Sequence, residues 1–134
     1  MKELNQQEYS EYIFKDFQDN FPEFLDCYRF ETDELIVEYP SHNESLTLWI
    51  STQDCELTVG FDQTGQCVWH THMSLFGAYE PEDELREAVK FIKGIFAGTQ
   101  KIVSNSKNEI YVTDTPEEID ETENEVEIRT WNDF

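Results

Sequence analysis

Positive charge is what this chain has least of: 9 Lys and Arg stand against 30 Asp and Glu, a net charge of -21 at pH 7. Nucleic acids and anionic membranes are gripped through Lys and Arg, so neither is expected as a partner. No stretch approaches the ~20 apolar residues of a membrane helix, and the opening MKELNQQEYSEY lacks the apolar run of a signal peptide. Cysteine is scarce and odd in number, with Cys27, Cys55 and Cys67 forming no C-x-x-C pair. Reduced thiols in a cytoplasmic protein are the expectation. With 5 Gly and no Gly-rich loop leading into Lys, nothing would cradle a phosphate. There is no G-x-S-x-G, and no Cys in basic surroundings that would activate it. Acids are so frequent that no pair stands out as a glycosidase couple. The chain is therefore expected to be no enzyme, with no catalytic residue and no cofactor.

What the chain does have is aromatic core material, 10 Phe, 6 Tyr and 3 Trp, in 134 residues that fit one domain spanning 1–134. Its organising stretch runs from Cys55 to Gly98. Cys55, Leu57, Val59 and Phe61 alternate on one face, a polar turn follows at Asp62 to Gly65, and Cys67, Trp69, Thr71 and Met73 return. Period-2 alternation marks strands buried on one side. Leu85, Ala88, Val89, Ile92, Ile95 and Phe96 then recur at helical spacing, a stripe suited to covering that hairpin. Pro81 in the first turn, acids beside it, Lys90 and Lys93 further along, and Gly98 at the end fit a long helix.

Upstream, Tyr9, Ile13, Phe17 and Phe21 repeat every four residues and predict an amphipathic helix from Leu4 to about Asn20, stopped by Pro22. A second helical turn is expected at Glu23 to Tyr28. Residues 35–39 and 46–51 read as strands, so four consecutive strands with short polar turns predict an antiparallel meander. Residues 101–104 and 109–113 predict a further hairpin. From 114 to 127, DTPEEIDETENEVE holds eight acids and no base, too charged to form core. Val126, Ile128 and Thr130 alternate as a candidate edge strand. The expected fold is α+β: an antiparallel sheet of about six strands, the long helix on one face and the N-terminal helix packed nearby.

His70 and His72 share one strand face, with Glu56 and Thr58 placed across the hairpin. A His, His, carboxylate metal site is conceivable there, as a metal-binding protein or metal-dependent enzyme. No third ligand stands at a recognisable spacing, only His42 and scattered acids, so the favoured role is structural or partner-facing, with no metal. Trp49 points away from Leu46, Leu48 and Ile50. The N-terminal helix is expected to bury it on the far side of the sheet; left open among acids, it would be a hot spot for a basic partner. A charge of this size also keeps a structural or adaptor domain soluble without implying any partner.

Leu57 to Phe61, then Trp69 to His72, Phe76-Gly77 and a helix reaching Phe91-Ile92 resemble small immunity proteins of bacterial polymorphic and contact-dependent toxin systems. The likeness covers roughly residues 55 to 104. It implies a non-enzymatic protein that binds and blocks a cognate toxin, basic by the charge complement. The residues expected at the partner surface are Trp49, Glu56, His70 and His72 on the sheet, with Asp114, Glu117 and Glu118 in the acidic segment.

Overall fold

The computed structural model describes residues 4–107, 109–119 and 125–134. A helix α1 (Gln6–Asn20) leads into strands β1 (Tyr28–Glu31), β2 (Glu34–Pro40), β3 (Thr47–Ser51), β4 (Thr58–Gln63) and β5 (Gln66–His72). Helix α2 (Pro81–Ala97) follows, then β6 (Lys101–Asn105), β7 (Ile110–Thr113) and β8 (Val126–Arg129). The protein is α+β, with a five-stranded antiparallel sheet ordered β1-β2-β3-β4-β5 and a three-stranded antiparallel sheet ordered β7-β6-β8. The expected single sheet of about six strands is thus two sheets. The division falls at α2: β6 pairs with β7 and β8 and so has no edge left for β5.

Local chemistry sets the ends of both helices. Asn5 Oδ1 accepts from the Glu8 N–H at 2.8 Å while Glu8 Oε1 accepts from the Asn5 N–H at 3.2 Å, a reciprocal cap on α1. Pro81 opens α2, and Gly98 closes it in the left-handed conformation at φ 83°. The expected helical turn at Glu23 to Tyr28 is corrected to a 3-10 turn at Pro22–Phe24 followed by β1. Phe24 is fully buried and packs against Phe17, Phe21 and Tyr28, so aromatic packing outweighs local propensity there.

Both helices cover the same face of the five-stranded sheet. Tyr9, Ile13 and Phe17 of α1 join Leu85, Ala88, Ile92 and Ile95 of α2 over Leu35, Val37, Leu48, Ile50, Val59 and Phe61. The Tyr9 hydroxyl donates to Glu84 Oε2 at 3.0 Å, which ties helix to helix. A buried polar chain fixes α1 to the sheet: Ser10 Oγ donates to the Asp33 carbonyl at 2.6 Å and meets Thr52 Oγ1 at 2.7 Å, and Thr52 Oγ1 accepts the Leu35 N–H at 2.9 Å. The expected burial of Trp49 beneath the N-terminal helix is therefore overturned, because α1 lies on the opposite side.

Glu84, one of the first-turn acids of α2, is 5% exposed. Burial raises its pKa above the ordinary glutamate value, against the lowering influence of the Tyr9 hydroxyl and the Leu57 N–H. The native state thus holds this proton to higher pH than the unfolded chain does. The associated stability is fully present below the ordinary value of about 4.3 and is lost as pH rises through the folded value. Urea unfolding of Glu84→Gln beside the parent at matched pH removes the general repulsion of a -21 chain from the comparison. The variant should gain on the parent as pH rises above about 4.3 and then hold a constant offset; a difference that never changes with pH would rule this out.

The hairpin β4–β5 differs from strict alternation at one point. Phe61 pairs with Trp69 but Asp62 pairs with Cys67, so Val68 is an extra residue on β5. The bulge turns Val68 toward the core and carries Cys67 to the other face. Cys67, expected inside, is exposed, and Cys55 is only half-buried.

In the second sheet Ile102, Val103 and Ile110 are buried. The chain then returns to the first sheet through a 3-10 turn at Trp131–Asp133. Trp131 stacks on Phe61 at 6.0 Å and Tyr39 at 6.1 Å, joining the two sheets. Residues 120–124 of the acidic segment lie outside the described residues.

Candidate functional site

Strand register lays out the face that the helices leave bare. One row across the sheet reads Arg29, Ile36, Ser51, Thr58 and His72; the next reads Glu38, Trp49, Gly60 and His70. At the centre the Trp49 indole lies on Gly60, where an added Cβ would fall 2.6 Å from Trp49 Cε2. Only a glycine lets the ring lie so close to the strand. Trp49 is half-buried, its ring 6.4 Å from that of His70, and its Nε1 is shut off from solvent without a hydrogen-bond partner among the described residues.

His72 stands at the edge of this face. Its Nδ1 is 2.8 Å from Thr58 Oγ1 and 3.8 Å from Glu56 Oε1, and Glu56 Oε1 accepts from the Ser74 hydroxyl at 2.6 Å. The His70 and His72 rings meet edge-on at 5.3 Å. Trp49, Glu56, His70 and His72 are thus brought onto one surface. Among the described residues, no group of three or more His, Cys, Asp or Glu side chains is placed to hold a metal ion. His72 turns the nitrogen nearest Glu56 toward Thr58 instead.

Asp114, Glu117 and Glu118 are not part of that surface. Asp114 lines a separate cavity of about 280 Å³ with Phe76, Lys90 and Phe91, and Glu117 and Glu118 are exposed in the 3-10 turn Pro116–Glu118. Two features escaped the sequence reading. Cys67 Sγ lies 3.8 Å from His70 Nδ1 because of the bulge. In the loop after β5, Leu75 and Tyr79 are 74% and 79% exposed, with Phe76 between them. Their apolar character in SLFGAYE was the available signal, since a loop has no core to give to.

No described helix is long and apolar enough to cross a membrane. Comparison with protein-family models, with curated proteins and with solved structures finds no match for this chain.

Proposed function

We propose that the chain is an immunity protein, which binds a cognate basic toxin in the cytoplasm and neutralises it stoichiometrically. The observation that carries this reading is a charge of -21 on a chain whose five-stranded sheet leaves an aromatic-centred face bare of helices. The two features have different physical work. Long-range attraction draws a basic protein in, while a half-buried indole beside the His70 imidazole supplies the apolar contact that holds it. Carboxylates on such a surface stand where the phosphates of a nucleic acid would, which suits a nuclease as the target.

The test is to seek a basic toxin domain among the proteins encoded beside this chain and to measure the kinetics of its binding. Association should slow by about tenfold or more between low and high salt, with dissociation much less affected. Replacing Asp114, Glu117 and Glu118 with their amides should slow association and leave dissociation unchanged. Trp49→Ala should instead speed dissociation by about tenfold or more. A chain that binds no basic protein from its own genomic neighbourhood at any salt concentration is not an immunity protein.

A further inference from the structure

A second recognition feature lies between α1 and the β1–β2 turn, away from Trp49 and the histidines. There a cleft of about 420 Å³ is lined by Glu11, Phe14, Phe30 and Asp33, with Ser10 at its base. Its walls are fixed. Ser10 is 1% exposed and binds the Asp33 carbonyl, so the turn that carries Asp33 is tied to α1. Phe14 is held edge-on between Tyr28 at 4.8 Å and Phe30 at 5.3 Å. Phe30 nonetheless leaves 48% of its surface open, on a strand at the edge of the sheet.

The charge pattern of the cleft selects its occupant. Glu11 accepts from the neutral Gln7 amide at 3.3 Å, and among the described residues neither Glu11 nor Asp33 has an ion pair, Lys15 one turn along α1 included. By contrast Arg29, next to Phe30 in sequence, is engaged by Glu31 and Glu38 on the other face. Two carboxylates without a cation repel anions and penalise an uncharged apolar ligand less well matched to them. The exposed Phe30 ring and the half-buried Phe14 ring in the same lining favour a flat cation, which can stack on a ring and present N–H groups edgewise to the acids.

We infer that this cleft binds a guanidinium group, that of an arginine on a protein partner. Only the source of the arginine rests on the basic-toxin reading; the affinity for guanidinium rests on the cleft. The probe is N-acetylarginine amide, titrated into the isotope-labelled full chain and followed by amide chemical shifts, beside the lysine and citrulline amides. Saturable shifts should centre on residues 7–14 and 30–33, with the arginine compound about threefold to fivefold tighter than the lysine one and the citrulline compound silent. Phe30→Leu and the double change Glu11→Gln with Asp33→Asn should each weaken binding by a similar factor while the remaining shifts keep their native positions. Shifts that spread over the whole acidic surface without saturating, equal for arginine and lysine, overturn the cleft. So does unchanged affinity in both variants. A toxin that binds the chain while the arginine amide leaves the cleft untouched removes this inference alone; a cleft that saturates in a chain binding no basic protein leaves it standing and removes the immunity reading.

Discussion

Gly60→Ala should cost about 1 to 3 kcal/mol and lift the Trp49 indole from the sheet. The added methyl would lie 2.6 Å from Trp49 Cε2, 2.7 Å from Trp49 Cζ2 and 2.6 Å from the Trp69 carbonyl. None of these atoms is the far end of a flexible side chain. The indole is rigid, and the carbonyl belongs to β5, paired to β4 on either side of the contact. Chemical denaturation measures the cost. Repeating it in a Trp49→Leu background separates the two clashes: the glycine change should be cheaper there by about 0.5 kcal/mol or more, because only the carbonyl remains in the way. Additive effects would mean that the ring does not rest on Gly60.

The larger loss is expected from Ile92→Ala, about 2 to 5 kcal/mol. Ile92 is fully buried on the stripe of α2, in the cluster that also holds Tyr9, Phe17, Val59 and Phe61. Truncation there removes transfer energy and leaves a cavity between two helices and a sheet, with side chains locked by aromatic neighbours that collapse poorly. A native stability of about 5 to 15 kcal/mol leaves little margin against such a loss. Urea unfolding that shows less than about half a kcal/mol would mean that α2 does not cover the sheet.

What could be read in the residues follows what is local. The stripe of α2, its Pro81 start and its Gly98 end are written within 18 residues, and the structure has them there. The meander from β2 to β5 was visible because each turn is short and polar, and period-2 alternation placed Trp49, His70 and His72 on the face opposite Val59 and Phe61. Features that depend on distant partners were not visible. β1 is four residues, YRFE, without a buried member, and declares itself only by pairing with β2. The face turned by Cys67 depends on a single unpaired residue, Val68. Glu84 resembles any acid at a helix start until Tyr9, 75 positions earlier, closes over it. Whether α1 covers Trp49 or its opposite face is decided by Ser10 and Thr52, which no periodicity of α1 encodes. The cleft between Phe14 and Phe30 belongs to the same class, since its walls come from a helix and a strand that was itself not foreseen.

The parity of the strands has a consequence for how this chain can change over generations. Along β3 and β4, Leu48, Ile50, Val59 and Phe61 hold the helices, and the intervening Thr47, Trp49, Ser51 and Asp62 do not. Substitutions of the second set leave the packed interior alone, so the bare face can drift through new side chains while the scaffold beneath keeps its shape. Gly60, opposite Trp49 on the same face, is the exception. As long as a tryptophan occupies position 49, a side chain at position 60 meets both the ring and the Trp69 carbonyl; loss of the ring removes the first obstacle and leaves the second, so the glycine is cheaper to replace after the tryptophan than before it. The surface most free to acquire a new partner thus carries one favoured order of change, at its centre.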